Sequence, residues 1–243
     1  LGGLCLNWGC IPTKTLLKSA KLYQDILRGE EFGIKGIDRS KVSLDWATLT
    51  KRRDEVVNKL VNGVYVLFRK NKIDLYEGMA KVKNKNKIEV NGEIINGKNL
   101  IVATGSTSNF PNIPGLDDTL ASGKAVTSRG VLELKDIPKE LVIIGGGVIA
   151  VEFATLFNAL ASKVTLIQRS DHILSGLESE MAQTLEKHLI EEGVNIITST
   201  KIISIDKDKV VVDHKGEIKT FTGDKYLISL GVKAQLNGLE RLN

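Results

Sequence analysis

The sequence predicts an α/β fold, and two observations carry that prediction. Strand-length apolar runs at residues 141–144 and 164–167 flank three consecutive glycines and a helix-length apolar stretch, in the order strand, turn, helix, strand. Elsewhere the apolar pattern alternates between helical and extended periods, with no internal repeat and no low-complexity segment. That order is the signature of a Rossmann-like dinucleotide-binding unit, in which helices cover a mostly parallel sheet.

Each element follows from local pattern. Residues 11–28 read as a helix, with Ile11, Leu16, Leu17, Ala20, Ile26 and Leu27 on an apolar side and Pro12 in the first turn, where a missing N–H costs little. A longer helix spans residues 44–70, with Leu49, Val56, Leu60, Val64 and Leu67 at helical spacing and Ser43 as its cap. Between 73 and 104 the period shortens: residues 87–90 and 93–95 flank Asn91-Gly92, a strong hairpin signal. Residues 99–104 read as a buried strand stopping at Gly105. After strand 141–144, helix 148–161 and strand 164–167, a helix follows at 178–192 and strands at 194–197, 202–205, 210–212 and 226–230. The Pro-containing stretch 110–114 marks the expected domain boundary, giving domains at 1–108 and 109–243.

Composition narrows the function classes. The 243 residues are 42% hydrophobic and 26% charged, as expected of a globular chain of one large or two smaller domains. The net charge of +5 comes from lysines spread along the chain, and only 5% of residues are aromatic, so nucleic-acid binding is not expected. No apolar run reaches the roughly 18 to 20 residues of a membrane span, so the expectation is a soluble, cytoplasmic protein. The sequence opens on Leu1 without a start methionine, and a preceding segment is expected. Two cysteines are too few for a secreted disulfide scaffold, and their closeness points to a local purpose.

Gly145-Gly146-Gly147-Val148-Ile149-Ala150 fits the dinucleotide fingerprint between a strand and a helix. Gly145 allows the tight turn, Gly147 lets the backbone approach a pyrophosphate, and Ala150 keeps helix and strand close. The first helical turn offers unpaired N–H groups to the phosphates. A carboxylate at the end of the second strand would hold the ribose hydroxyls of NAD, whereas a cation would accommodate the 2′-phosphate of NADP. The sequence has Gln168 and Arg169 there, with Asp171 as a substitute acid, so both dinucleotides stay open. Arg169 reads equally as a solvated loop residue.

Cys5 and Cys10 enclose Leu6-Asn7-Trp8-Gly9. Five residues of regular helix rise about 7.5 Å, whereas bridged cysteines have Cα atoms about 4.4 to 6.8 Å apart. A bridge therefore needs a bent segment, which Gly9 permits. The helix after Cys10 would favour its thiolate. No zinc site is expected, because His172, His188 and His214 lie far off without ligand spacing. Spacing alone leaves a redox pair, a static disulfide and two free thiols all open.

The run from Gly2 to Lys14, GGLCLNWGCIPTK, resembles the redox segment of the flavin-dependent pyridine nucleotide-disulfide oxidoreductases. In the same order come Ala103-Thr104-Gly105-Ser106, the segment from Gly145 to Glu152, and Gly231 after a strand, so the resemblance covers essentially the whole chain. It implies a Rossmann-like FAD/NAD(P)-linked reductase whose FAD domain is incomplete here. By similarity, Cys5 exchanges with a substrate thiol, and Cys10 lies against the flavin and passes electrons to it. The nicotinamide takes the hydride on the flavin's other face. Lys14, which can pair with Glu152, would lie near FAD together with Gly78, Thr104, Gly105 and Ser106. Gly145, Gly146, Gly147, Val148, Ile149, Ala150, Val151, Glu152, Gln168, Arg169, Ile202 and Gly231 would contact the dinucleotide.

The resemblance also implies partners: dihydrolipoamide or another small dithiol or disulfide, a second copy in a homodimer, and a 2-oxo acid dehydrogenase complex. Departures divide the family's branches. Gln168 replaces the glutamate of NAD-specific members, residues 231–235 lack the arginine and proline that usually follow the glycine, and Ala150 and Arg169 look like the glutathione-reducing, NADPH-using branch. Leu6, Ile11 and Thr13-Lys14 look like the branch that oxidises dihydrolipoamide with NAD, which is favoured because this segment faces the dithiol. The family's first FAD-binding turn and its dimerisation domain, with a His-Glu pair supplying the general base, have no counterpart in these residues. A nucleotide-binding module without turnover is the alternative of a different class.

Overall fold

A computed structural model describes residues 1–240 and 242. Its first part is helical: α1 (Gly3–Trp8), α2 (Cys10–Leu27) and α3 (Trp46–Lys70). A three-stranded antiparallel sheet follows, built from β1 (Ala80–Asn84), β2 (Lys87–Val90) and β3 (Glu93–Asn96). Then come β4 (Ser106–Ser108), α4 (Leu116–Ala121), β5 (Ala125–Val126) and α5 (Ser128–Leu132). The nucleotide-binding pattern appears as β6 (Glu140–Ile144), α6 (Val148–Ala159), β7 (Lys163–Ile167), α7 (Ser179–Glu191) and β8 (Asn195–Ile197). The remaining strands are β9 (Thr200–Ile205), β10 (Val210–His214), β11 (Glu217–Phe221), β12 (Lys225–Ile228) and β13 (Val232–Ala234).

The central sheet has the order β5-β12-β6-β7-β8, with every neighbouring pair parallel. From β6 the chain winds outward through β7 to β8 and later returns to β12 on the other side of β6. Strand order therefore reverses between β6 and β12, which opens a crevice beyond their carboxyl ends.

Side-chain alternation divides the strands between two cores. Leu141, Ile143, Leu166 and Leu227 face α6, whose Phe153, Ala154, Leu156 and Phe157 are buried against them. Leu16 and Ala20 of α2 and Trp46 of α3 join that same cluster. Val142, Ile144, Ile167, Tyr226 and Ile228 point the other way, onto Val210, Val212 and Ile205 of the antiparallel sheet β11-β10-β9. Polar ties add direction: Gln24 Nε2 donates to the Ala159 carbonyl at 2.6 Å, and Trp46 Nε1 to the Leu134 carbonyl at 2.8 Å.

Three expectations need correction. The cap of α3 is Asp45 rather than Ser43, because its carboxylate accepts the Thr48 N–H at 3.1 Å and the helix starts two residues later. Along α3 only Trp46 is buried, while Leu60 and Leu67 stay exposed. Residues 99–104 are not a buried strand: Ile101 is 88% exposed, and only Ser106–Ser108 pair, with β13. An apolar run becomes a buried strand only where a neighbouring strand accepts its ladder, and residues 99–104 have none among the described residues.

Candidate active site at the disulfide and the glycine-rich turn

The segment between the two cysteines is bent where glycine allows it. Helix α1 ends at Trp8, Gly9 takes φ −124° and ψ −114°, and α2 begins at Cys10. A Cβ on Gly9 would stand 2.9 Å from Leu4 Cδ2 and 3.1 Å from Cys5 Cα, so the close return of α1 leaves little room for a side chain there. The bend brings the Cα atoms of Cys5 and Cys10 to 4.7 Å, and the two form a disulfide. Thr13, nearly fully buried, ties the first turn of α2 to this bend: its N–H and hydroxyl both donate to the Gly9 carbonyl, at 3.1 and 2.7 Å. Cys10 occupies the first position of an 18-residue helix, where the dipole favours a thiolate.

A cavity of about 450 Å³ opens beside this segment. Cys10 lines it and Cys5 does not, although both residues are exposed. Val148, Ile149, Glu152 and Phe153 of α6 line the same cavity. Lys14 Nζ donates to Glu152 Oε1, an ion pair that ties α2 to α6 at the cavity wall. Trp8, Phe110, Thr127, Ser128, Arg129 and Val232 complete the wall with Ser106. Of these only Ser106 stood out in the sequence, although Trp8 lies between the cysteines and could have been singled out.

A second cleft, about 640 Å³, lies at the crevice between β6 and β12. Gly145, Gly146 and Gly147 floor it, with Ser229, Leu230 and Gly231 at the end of β12. Gly145 has φ +115°, and a Cβ there would run into the Ser229 carbonyl. Gly147 faces open space instead, so its lack of a side chain keeps the cleft clear for a ligand. The first-turn N–H groups of α6 point to this opening by helix geometry. Ala150 is fully buried, which explains the small residue where α6 meets the sheet. Val148 and Ile149 face the disulfide cavity, and buried Val151 packs in the core rather than lining either opening.

At the far end of the cleft, the Gln168 side chain lies over Gly146 and its Oε1 accepts the Arg169 N–H at 3.0 Å. Arg169 and Lys201 are the charged side chains that line the cleft, and no carboxylate does so among the described residues. Asp171 does not curl back: its side chain is exposed, 3.7 Å from His172 Nε2. Ile202 and Gly231 also line the cleft. Lys201 was missed, although it stands next to Ile202 in sequence.

The remaining expected residues fall outside both openings. Thr104 donates its hydroxyl to the Gln235 carbonyl at 2.6 Å, and the Gly105 carbonyl accepts the Gln235 N–H at 3.0 Å, beside the β4–β13 pair. Gly78 stands apart, against the Asn91 side chain of the hairpin. His172, His188 and His214 line neither opening; His214 meets the Thr200 hydroxyl at 2.7 Å. No cluster of His, Cys, Asp or Glu able to hold a metal occurs among the described residues, and none of the described helices is long and apolar enough to cross a membrane.

The disulfide segment, the glycine-rich turn and the switch-point crevice thus occur together in one fold. The family model described as pyridine nucleotide-disulphide oxidoreductase matches residues 1–243. The chain belongs to that family. Within it, the chain is 43% identical over 242 residues to a dihydrolipoyl dehydrogenase of Acholeplasma laidlawii, covering all of this chain and 71% of that protein. It is 40% identical to a dihydrolipoyl dehydrogenase of Mycoplasma genitalium, of which it spans 52%. Among solved structures, the HOCl-induced flavoprotein disulfide reductase RclA from Escherichia coli superposes with a TM-score of 0.81 at 30% identity, over 98% of this chain and 50% of that one. The chain therefore spans between half and about seven tenths of these relatives.

Proposed function

We propose that this chain carries the redox disulfide and dinucleotide site of an enzyme that oxidises dihydrolipoamide to reduce NAD. The observation that carries this reading is that Cys10 and Glu152 line one cavity, with the Lys14–Glu152 pair joining their two helices. The names of the relatives support the dithiol substrate. By the same resemblance, the intact protein is cytoplasmic, pairs as a homodimer and serves a 2-oxo acid dehydrogenase complex. The division into a partial FAD-binding domain at 1–108 and an NAD(P)-binding domain at 109–243 belongs to the same proposal.

The chemistry of the disulfide follows from its setting. One thiolate of the dithiol attacks Cys5 Sγ, the S–S bond breaks, and Cys10 leaves as a thiolate favoured by the N-terminus of α2. The second substrate thiol then gives its proton to the departing Cys5 sulfur as it displaces it and closes the substrate's own disulfide, leaving the Cys5 thiol and the Cys10 thiolate. Residues present fit a flavin beside Cys10: the cavity has room on the Cys10 side, and Lys14, Ser106 and Glu152 offer polar groups along its wall. Bound FAD supplies the two-electron relay from the dithiol to the nicotinamide. On the dinucleotide side, Gly147 keeps the pyrophosphate approach open and the first turn of α6 binds it.

A second reading, an NADPH-dependent disulfide reductase, is favoured by one observation: Arg169 and Lys201 line the cleft without a carboxylate to oppose a 2′-phosphate. One experiment addresses both readings. Dihydrolipoamide-dependent reduction of NAD⁺ and of NADP⁺ is followed with the intact protein, its Cys10→Ser variant and its Arg169→Ala variant. The first reading expects NAD⁺ reduction that is lost in Cys10→Ser and kept in Arg169→Ala. No dithiol-dependent reduction, or turnover that survives Cys10→Ser, overturns it; preference for NADP⁺ that vanishes with Arg169→Ala establishes the second.

A further inference from the structure

Helix α1 carries Cys5, yet it buries none of its residues and no side chain caps its start. A six-residue helix without a buried face has little stability of its own, so its contacts with neighbouring elements decide where it sits. The disulfide to Cys10 is one such contact. Helix α1 also packs against α2 and α3, and a further contact lies at Trp8, its last residue, where the guanidinium carbon of Arg129 stands 4.3 Å from the indole centroid.

Arg129 belongs to α5, which is firmly anchored. Val131 and Leu132 are buried in the main core, and the Thr127 hydroxyl accepts the Gly130 N–H at 3.2 Å. Glu133, one turn along, accepts from Arg129 Nε at 3.2 Å and orients the guanidinium. Trp8, Cys10 and Arg129 line the same cavity. The stack thus bridges the cysteine-bearing segment to the nucleotide-binding unit at the cavity rim.

We propose that Arg129 is a positioning residue for the redox disulfide: stacked on Trp8, it holds α1, and with it Cys5, beside Cys10. The inference rests on the redox reading of this pair. The tendency of two thiols in one chain to close an S–S bond follows their effective concentration, which a restraint on α1 raises. Removing the restraint makes the disulfide easier to reduce. A role for the Arg129 charge alone predicts the opposite sign, because losing a cation disfavours the Cys10 thiolate and makes reduction harder.

The test equilibrates the intact protein with dithiothreitol at graded ratios of its dithiol and cyclic disulfide. Two electrons and two protons leave dithiothreitol as its own S–S bond closes and the Cys5–Cys10 bond opens to two thiols. The fraction reduced is read by mass after alkylation and, where Trp8 is present, by its fluorescence, since the other tryptophan, Trp46, is buried in the core. Arg129→Leu is expected to lower the ratio needed for half-reduction about threefold, in line with a partly exposed cation–π contact. Arg129→Lys, which keeps the charge but loses the planar stack, shifts the same way by less. Trp8→Leu reproduces the Arg129→Leu shift, and the double variant adds nothing further. The Arg129 side chain is 59% exposed, and thermal melts check that the variants fold as the parent does. An unchanged midpoint, a shift toward harder reduction, or additivity of the two changes overturns the proposal. A parent disulfide that dithiothreitol never opens overturns the redox reading and this inference with it.

Discussion

Gly145 and Gly147 stand two residues apart in one turn and answer to different constraints. Gly145 needs a left-handed φ and a close approach to the Ser229 carbonyl, both of which a side chain would spoil. Gly147 has an ordinary φ of −77° and open space beyond it. Gly145→Val is therefore expected to destabilise the fold by about 1–3 kcal/mol from backbone strain, before any clash is counted. Gly147→Val should leave the thermal midpoint near that of the parent and abolish dinucleotide binding. Paired thermal melts and calorimetric titrations with NAD⁺ check this, and a Gly147→Val protein that still binds NAD⁺ as the parent does removes the pyrophosphate role of the turn. Both glycines are legible from the fingerprint spacing, but their separate reasons are not, because the Ser229 carbonyl comes from a strand more than eighty residues away.

Among the elements, α3 shows how a helix start is chosen. Ser43 and Asp45 are both capping types, and the chain uses Asp45, whose carboxylate accepts from the Thr48 hydroxyl at 2.5 Å and from the Thr48 N–H at 3.1 Å. The hydroxyl contact first, then the backbone one, hold the Asp45 carboxyl below the usual carboxylate range. A carboxyl lowered in the folded state contributes stability that is present above its unfolded pKa of about 4 and is lost as pH falls through its folded value. Asp45→Ala should lower the thermal midpoint at neutral pH, and the gap between variant and parent should close on acidification below about pH 4. Melting curves across that range check it; a gap that persists at low pH means the carboxylate is not the cap. The central strands β6 and β7 and helix α6 lie within a residue or two of their expected bounds because each is apolar, contiguous and buried. Residues 99–104 are just as apolar in sequence, but an apolar run does not reveal whether a neighbouring strand will accept it.

Across the whole molecule, one cluster joins α2 and α3 to the central sheet and α6. Phe157 of α6, fully buried, stands 6.3 Å from Phe153 and 6.2 Å from Trp46 of α3, and Leu16 and Ala20 of α2 belong to the same core. Both walls of the disulfide cavity hang from this core, so its packing decides how Cys10 faces Glu152. Phe157→Ala is expected to cost about 3–5 kcal/mol, as large aromatic truncations in a closed core do. Urea denaturation followed by Trp46 fluorescence measures it, and a loss under about 1 kcal/mol would mean the site collapses around the gap.

The order of elements, the cysteine pair beside a helix start and the glycine-rich turn are local properties, written in period, spacing and glycine placement, and the sequence alone carries them. Which groups meet across the openings is not local. The disulfide needed the observed backbone of Gly9 to close, Lys14 found Glu152 across 138 residues, and Arg129 and Lys201 reached their cavities from segments with no motif. Those encounters depend on how α2 and α5 pack on the unit around α6 and on where strand order reverses between β6 and β12. Such contacts between residues far apart in the chain are decided by the burial of shared apolar faces, and that is settled only when the chain folds.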